Sequence, residues 1–258
     1  MPFFTHNQHR YFYREQDNTA EPNAPLLIAL PGNTATSACL INEMAFFSGL
    51  GYRAAAIDFL GTGQSDRIPT PWPLDWWQMN AEAAIALVDH LGARQAVLVG
   101  VSGGAIAALY AAIRFPERVR AVISDSTVHT FLPGQLSAEV MGRAERNGGQ
   151  VGFWTYANGP DWEAVVDADS DFLRRLDEAN PQGVDLFGSQ LSQIRCPVLF
   201  SASLADGSIP QAAAQVPDMS AQVKGSWVFT VNAGDHPLMW SCPKAFQAAA
   251  KAFLASIE

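Results

Sequence analysis

The clearest chemical signal in the chain is the stretch Gly100-Val101-Ser102-Gly103-Gly104, which has the spacing Gly-x-Ser-x-Gly. A continuous apolar run of strand length precedes it, and an alanine-rich, helix-favouring run follows it. This pattern is typical of a nucleophile elbow, a sharp strand-to-helix turn that holds a serine in a strained conformation. The glycines let neighbouring backbone approach, and the helix N-terminus favours negative charge beside the hydroxyl. Ser102 is therefore the candidate nucleophile.

A dinucleotide-binding loop is the competing interpretation of a glycine-rich turn between a strand and a helix. That fingerprint requires Gly-x-Gly-x-x-Gly and an acidic residue about 20 positions further on. Ser102 stands where the second glycine of the fingerprint belongs. An isolated Gly-x-Ser-x-Gly also occurs in tight turns that carry no chemistry, so the other functional groups of the chain decide between the interpretations.

A serine hydroxyl is a poor nucleophile until a base takes its proton, and a carboxylate must orient that base. His236 follows a late apolar run and lies in a glycine-containing loop, which makes it the candidate base. Asp206 follows another apolar run and precedes the turn sequence Gly-Ser-Ile-Pro, which makes it the candidate acid. The order Ser, Asp, His along the chain is the order expected when a nucleophile elbow begins the series.

Two other carboxylates are alternatives for the orienting acid. Asp125 ends a predicted strand nearer to Ser102, and its other interpretation is hydrogen bonding within a turn. Asp235 adjoins His236, and adjacent side chains in an extended loop usually diverge. We therefore rank Asp206 first and Asp235 last.

An acyl-transfer reaction also needs backbone donors for the oxyanion of its tetrahedral intermediate. One donor should be the N–H of Gly103, directly after the nucleophile. The second should come from the loop that follows the apolar run Leu26–Leu30, where the N–H of Asn33 is favoured. Thr34 is the alternative donor and a candidate contact for substrate.

Strand-like and helix-like segments alternate on both sides of the elbow, which favours a mostly parallel sheet covered by helices on both faces. Ligand sites in such sheets lie off the carboxyl ends of the strands, where the three functional groups should converge. The aromatic N-terminal residues 3–14, broken by a polar turn, predict an edge hairpin. The other predicted strands are 26–30, 53–57, 96–101, 119–124, 196–201 and 226–231, and the clearest helices are 42–50, 74–91 and 243–254.

The alternation stops between about residues 126 and 190, a segment too long for an ordinary loop. We interpret it as a small helical insertion that leaves the sheet beside the candidate site. His129, Trp154, Tyr156 and Trp162 are its candidate substrate-binding residues, although each aromatic is equally well explained by packing inside the insertion.

The insertion also contains Asp167, Asp169, Asp171 and Glu178, which have the spacing of a calcium-binding loop. Phe172 occupies the position that such a loop reserves for glycine, so the pattern is a weak metal signal. A short helix over 172–179 with an acidic start is the better interpretation. We therefore predict no metal.

Bulk composition restricts the function classes. The 258 residues, 48% of them hydrophobic, suffice for one α/β domain with an insertion. The net charge of −9 argues against nucleic acids and anionic membranes as partners. Three widely spaced cysteines suit a reducing compartment, and neither a secretory signal nor a bilayer-spanning apolar stretch is visible. We therefore expect a cytoplasmic protein.

Together these features resemble the α/β-hydrolases across nearly the whole chain. The motifs that carry the resemblance are Pro31-Gly32, Asp58-x-x-Gly61-x-Gly63-x-Ser65, Gly100-x-Ser102-x-Gly104, Phe115-Pro116-Glu117-Arg118-Val119, Asp206-x-x-Ile209-Pro210 and Gly234-Asp235-His236. The resemblance implies an eight-stranded, mostly parallel sheet with helices on both faces. It also implies a core domain formed by 1–125 and 191–258, with 126–190 inserted as a helical cap.

The chain departs from common family patterns at three positions. Pro31-Gly32 replaces His-Gly, a variant of the biphenyl-hydrolase-like (valacyclovir hydrolase) group, which has an acidic residue after its nucleophile to bind a substrate amine. Gly103 stands there in this chain, so specificity for amino-acid esters is not implied. Leu60 replaces a usual arginine. Dehalogenases and epoxide hydrolases of this fold use an aspartate nucleophile, and Ser102 counts against both.

The resemblance and the residues agree on a serine hydrolase that cleaves a small carboxylic ester or related acyl compound without a cofactor. Lactone, thioester or C–C bond hydrolysis by the same triad is the alternative, as is a non-catalytic ligand-binding member of the fold. Acidic residues outnumber basic ones in 126–190, so we expect neutral, compact acyl substrates. The oligomeric state stays open.

Overall fold

The computed structural model describes residues 2–16 and 24–257. The strands in these residues are β1 (Phe3–His6), β2 (His9–Gln16), β3 (Leu26–Leu30), β4 (Arg53–Ile57), β5 (Ala96–Val101), β6 (Val119–Asp125), β7 (Thr130–Phe131), β8 (Val184–Asp185), β9 (Val198–Ser203) and β10 (Trp227–Val231). The α-helices are α1 (Ile41–Gly49), α2 (Trp76–His90), α3 (Gly103–Arg114), α4 (Gln135–Arg143), α5 (Gly148–Asn158), α6 (Trp162–Ala179), α7 (Ala212–Gln222), α8 (Leu238–Ser241) and α9 (Pro243–Ala255).

Eight strands form one sheet in the order β1-β2-β4-β3-β5-β6-β9-β10. All neighbours from β4 to β10 pair in parallel, whereas β1 and β2 pair antiparallel at one edge. The central strands β3 and β5 are buried at every position, which explains their uninterrupted apolar sequences. The predicted α/β-hydrolase architecture is confirmed.

The edge hairpin forms as predicted. Asn7 and Gln8 connect its strands and both have positive φ, 47° and 68°, as a two-residue hairpin turn requires. The inner strand β2 then pairs antiparallel with β4, so that Tyr13 lies opposite Ile57.

Two apolar clusters hold the sheet, one against each face. On one face Ile28 and Leu98 pack with residues of α2, α3 and α7, and on the other face Leu27 and Val97 pack with residues of α1 and α9. Adjacent strand residues supply opposite clusters because side chains alternate across a strand.

The predicted insertion folds as α4, α5 and α6 together with the two-stranded sheet β7–β8. One boundary prediction is wrong: α6 begins at Trp162 rather than at residue 172. Its buried residues Val165, Val166, Phe172 and Leu173 follow helical spacing over the full length of the helix. The aspartates that resemble a helix start are interior residues of this longer helix.

Smaller differences concern element ends. The strand predicted at 196–201 runs from Val198 to Ser203, and the helix predicted at 74–91 begins at Trp76. Leu60, which stands where relatives have arginine, is fully buried beneath Trp76, whose Nε1 donates to the Leu60 carbonyl at 2.8 Å. In the part of the chain that the structure describes, no helix combines the length and apolarity needed to cross a membrane.

Candidate active site

Ser102 lies at the sharp turn between β5 and α3 with φ 53° and ψ −121°. A positive φ in a residue other than glycine typically costs about 1–3 kcal/mol and is maintained by its surroundings. Here a Cβ at Gly100 would overlap the backbone of Gly104, and a Cβ at Gly104 would overlap the carbonyl of Leu30. Both glycines of the motif are therefore required by close backbone packing, which holds the serine in the elbow conformation.

His236 and Asp206 come together at the carboxyl ends of β10 and β9. The distance from His236 Nδ1 to Asp206 Oδ2 is 2.8 Å. The other carboxylate oxygen, Oδ1, accepts hydrogen bonds from the N–H groups of Ser208 and Ile209 at 3.0 and 2.7 Å. A buried carboxylate fixed in this way makes Nδ1 the protonated ring nitrogen and leaves Nε2 as a proton acceptor.

Asp235 connects the loops that carry the histidine and the acid. Its Oδ1 accepts from the N–H of Gly207 at 2.8 Å and from the N–H of His236 at 2.7 Å. These backbone donors hold the pKa of the Asp235 carboxyl below its usual range. The carboxylate therefore fixes both loops and does not contact the imidazole ring.

Asp125, the second alternative acid, is fully buried at the end of β6. Its oxygens accept from Ser201 Oγ at 2.6 Å and from the N–H of Met239 at 3.0 Å. Burial raises the pKa of this carboxyl to about 6. Because Met239 lies three residues after His236, Asp125 supports the histidine loop from beneath.

Asn33 and Gly103 lie beside Ser102 in one cavity. The side chain of Asn33 is bound at both ends, since Oδ1 accepts from Trp77 Nε1 at 3.0 Å and Nδ2 donates to Asp169 Oδ1 at 2.6 Å. Among the residues that the structure describes, neither the Asn33 N–H nor the Gly103 N–H has an acceptor. These two amides are the groups that the sequence predicts for the oxyanion.

The contacts of Asn33 and Trp77 also require a glycine at position 103. A Cβ at this position would overlap Asn33 Oδ1 and lie 2.8 Å from Trp77 Nε1. The acidic residue that the valacyclovir hydrolase group has here would displace the Asn33 side chain, so the glycine and the Asn33–Trp77 hydrogen bond belong together.

Asp169 is a site residue that sequence reasoning assigned to a different pattern. It is fully buried on α6, where Arg143 Nη1 of α4 donates to its Oδ2 at 2.5 Å and Asn33 binds its Oδ1. Burial raises the pKa of its carboxyl, and the charge of Arg143 opposes that shift. Its position on the apolar face of α6, three residues before Phe172, is the sequence feature that could have identified Asp169.

Two cavities meet at Ser102 and His236. A small one of about 50 Å³ lies under α4 and α6. A larger one of about 400 Å³ lies beside α5 and α8. The small cavity is lined by Gly103 and by mostly apolar side chains, namely Trp77, Ile106, Phe131, Leu136 and Leu173, and its charged lining residues include Glu139 and Arg143. The larger cavity is lined mainly by Phe153, Trp154, Pro237 and Trp240.

Of the five predicted substrate-binding residues, Trp154 lines a cavity at Ser102. Thr34 lies behind it and accepts from Trp154 Nε1 at 3.2 Å. Trp162 stacks on the far side of Trp154, with ring centroids 5.6 Å apart. Tyr156 is 62% exposed and donates to the carbonyl of Ala38 at 2.9 Å. His129 Nδ1 bonds Thr130 Oγ1 at 2.8 Å, away from both cavities.

The calcium pattern does not form a site. Asp167 pairs with Arg146 at 2.5 Å, and Asp171 pairs with Arg174 and Arg175. Successive acidic residues on a helix point in different directions, so their spacing in sequence does not bring them together. Within residues 2–16 and 24–257, no three metal-ligating side chains are grouped.

Residues 25–164 match the alpha/beta hydrolase fold family. The chain is 27% identical over 194 residues to the mitochondrial palmitoyl-protein thioesterase ABHD10 of Homo sapiens, a match covering 72% of this chain and 58% of that protein. It is 39% identical over 92 residues to a 2-hydroxymuconate semialdehyde hydrolase of Pseudomonas putida, covering 34% of this chain and 31% of that protein. It is also 35% identical over 83 residues to epoxide hydrolase 2 of Siraitia grosvenorii, covering 32% of this chain and 26% of that protein.

Solved structures resemble the whole chain. A hydrolase from Pseudomonas aeruginosa PA01 has a TM-score of 0.77 at 20% identity, covering 98% of this chain and 97% of that one. The enol-lactonase from Burkholderia xenovorans LB400 has a TM-score of 0.75 at 18% identity, covering 98% and 100%. These likenesses concern the fold. They agree with the family match, which covers more than half of the residues. It belongs to the alpha/beta hydrolase fold family.

Proposed function

We propose that this protein is a serine hydrolase that cleaves a small carboxylic ester or related acyl compound through an acyl-enzyme. The observation that carries the proposal is the 2.8 Å contact between His236 Nδ1 and Asp206 Oδ2, beside a strained Ser102 that lines the same cavities as His236. Nucleophile, base and orienting acid in this arrangement perform acyl transfer on many members of the fold.

In this mechanism Ser102 Oγ attacks the carbonyl carbon while His236 Nε2 takes its proton. Asp206 stabilises the resulting imidazolium, and the N–H groups of Asn33 and Gly103 bind the oxyanion. Collapse of the tetrahedral intermediate releases the alcohol, which receives the proton from His236. A water molecule then attacks the acyl-enzyme while His236 Nε2 takes its proton. Collapse of this second tetrahedral intermediate releases the carboxylic acid, and His236 returns the proton to Ser102 Oγ.

The two cavities suggest how the substrate lies. Asn33 and Gly103 both line the small cavity, whereas of the two only Asn33 lines the larger one, so we assign the acyl part to the small cavity and the alcohol part to the larger. Arg143, which lines the small cavity, is paired with Asp169 at 2.5 Å and with Glu139 at 3.6 Å. Two carboxylates for one guanidinium leave no net positive charge for an anionic acyl group, so a short, neutral acyl group is favoured.

Labelling with a fluorophosphonate tests the nucleophile. We expect one adduct per chain, located on Ser102 by peptide mass spectrometry, and a loss of kcat on the order of 10⁶ in Ser102→Ala. Ser208→Ala is the matched control, because Ser208 lines both cavities but is not in the elbow. A label on another residue, or esterase activity that persists in Ser102→Ala, would contradict the proposal.

The bond type is a separate question. Enol-lactonase, thioesterase and semialdehyde hydrolase activities are named for proteins that this chain resembles. Matched esters, thioesters and lactones with the same acyl group rank these reactions by kcat/KM, and a vinylogous diketone tests C–C cleavage. A protein that binds these compounds without releasing product would instead be a non-catalytic member of the fold.

A further inference from the structure

A third cavity, of about 330 Å³, adjoins the larger cavity at Ser102. Phe153 and Trp240 line both, and their ring centroids lie 6.0 Å apart. Glu43, from the first turn of α1, and Tyr156 also line the third cavity. Lysine, arginine and histidine are absent from the described residues that line it.

Two polar atoms of this lining are buried without a partner. Glu43 Oε2 and Trp240 Nε1 each lack a hydrogen bond to any residue that the structure describes. An unsatisfied buried polar group costs about 1–3 kcal/mol, and more when it is charged. Burial, together with the negative charge of Asp125, raises the pKa of the Glu43 carboxyl. The Glu43 carboxyl therefore has no basic partner among the described residues that line the cavity.

The surroundings of Glu43 select for a cation. Aromatic faces attract positive charge, and Phe153, Tyr156 and Trp240 supply three rings. The carboxylate adds a counter-charge with no basic side chain to neutralise it, and the net charge of −9 favours the approach of cations.

We infer that this cavity binds an organic ammonium group on the alcohol part of the substrate, with Glu43 as its counter-ion. The inference rests on the proposed function, because it extends the alcohol part from the larger cavity past Phe153 and Trp240. It differs from amino-acid-ester specificity, in which the amine belongs to the acyl part.

Direct binding tests the site without catalysis. Titration calorimetry on Ser102→Ala compares choline with its uncharged isostere 3,3-dimethylbutan-1-ol. We expect choline to bind about tenfold more tightly, and we expect Glu43→Gln to abolish that preference. Glu117→Gln is the control, because it removes one surface carboxylate that pairs with Arg195 far from the cavity. Equal affinities for both compounds, or an unchanged preference in Glu43→Gln, would overturn the site.

A second variant, Trp240→Leu, tests the aromatic part of the site even if Glu43→Gln fails to fold. Trp240→Leu removes an aromatic face and the free N–H while keeping an apolar side chain. It should also lower choline affinity, with a thermal transition that stays cooperative. Choline affinity that is undiminished in folded Trp240→Leu would contradict the aromatic half of the inference.

Turnover separates the site from the proposed function. Acetylthiocholine and 3,3-dimethylbutyl thioacetate differ only in charge, and we expect about tenfold higher kcat/KM for the charged compound, lost in Glu43→Gln. If choline binds through Glu43 but neither thioester is cleaved, the proposed function fails and the site stands. If both are cleaved equally, the ammonium group does not lie on the substrate path and the inference fails.

Discussion

Two carboxylates at the ends of neighbouring strands have different surroundings, and the surroundings assign their roles. Asp206 presents one oxygen to His236 and fixes the other with two backbone N–H groups. Asp125 uses its oxygens for Ser201 and for the N–H of Met239. The first carboxylate is therefore the candidate orienting group, and the second supports the loop that holds the histidine.

Asparagine substitution distinguishes the two residues. Asp206→Asn should lower kcat by about 10⁴, because an amide stabilises the wrong imidazole tautomer, while folding is retained. Asp125→Asn should lower kcat far less. Steady-state kinetics on a small activated ester, with circular dichroism to confirm folding, provides the comparison. If Asp125→Asn alone removed activity in a folded protein, the assignment would be reversed.

The raised pKa of Asp125 predicts a pH-dependent stability. The folded carboxyl titrates near a pKa of about 6, above the usual value of 3.8, so between these values the native state holds a proton that the unfolded chain has lost. Stability from this group is therefore fully present below pH 3.8 and lost as pH rises to 6, by roughly 3 kcal/mol. Urea unfolding of the wild-type protein and Asp125→Asn at pH 4 and pH 7 measures this, and parallel changes in both proteins would contradict it.

Substitution of Gly103 provides a steric test of the loop after β3 that carries Asn33, here called the oxyanion loop. Gly103→Ala should displace the Asn33 side chain from Trp77 and lower kcat at least tenfold, because the Asn33 amide moves with it. Gly152→Ala is the matched control, since a Cβ at this glycine of α5 meets no atom within 4 Å. That control should keep its activity and gain up to about 1 kcal/mol of helix stability. Equal kinetics of the two variants would count against the role of Asn33.

At the scale of elements, a buried ion pair between two cap helices is linked by a hydrogen bond to the loop after β3 that carries Asn33. α4 supplies Arg143, α6 supplies Asp169, and Asp169 also holds the side chain of Asn33. The position of the predicted oxyanion amide thus depends on the packing of two cap helices against a loop of the sheet.

Asp169→Asn should therefore lower both stability and kcat. Loss of the carboxylate removes the buried partner of the Arg143 guanidinium and leaves only the longer contact with Glu139 at 3.6 Å, and breaking a buried pair typically costs about 3–5 kcal/mol. Because the damage reaches the oxyanion loop, kcat should fall more than KM rises. Asp171→Asn, two residues further on α6, breaks partly exposed pairs with Arg174 and Arg175 and should cost less than about 1 kcal/mol. Equal stability and equal kcat of the two variants would contradict this prediction.

The cap aromatics are predicted to differ in function. Trp154 lines the larger cavity, whereas Trp162 packs behind it and Tyr156 faces the third cavity. In a series of neutral esters whose alcohol part lengthens, Trp154→Ala should change the ranking of kcat/KM. Trp162→Ala should reduce stability and leave the ranking intact, and Tyr156→Ala should change the ranking only for alcohol parts long enough to reach the third cavity. An unchanged ranking in Trp154→Ala would place the pocket elsewhere.

At the scale of the whole molecule, a parallel sheet gathers the ends of β5, β9 and β10 at one edge, and the cap encloses that edge. Ser102 and His236, more than 130 positions apart, therefore line the same two cavities, and Asp206 contacts the histidine at 2.8 Å. All three cysteines are free thiols. The cytoplasmic location itself stays a prediction.

The sequence by itself determined those features that a few neighbouring residues specify. Apolar runs of strand length, helical spacing and the glycines around Ser102 identified the sheet, most helices and the elbow, because backbone conformation depends on local side chains. Chain order then ranked Asp206 above Asp125 and Asp235. The start of α6 was missed because its acidic residues imitate a helix start.

Only the tertiary structure decided which side chains meet. Asn33 and Asp169 are 136 positions apart, and no local pattern could pair them. The same holds for the small cavity, for the paired charge of Arg143 and for the unpartnered atoms of Glu43 and Trp240. These contacts depend on how α4, α5 and α6 pack above the sheet, and packing is set by the combined shape of many distant residues.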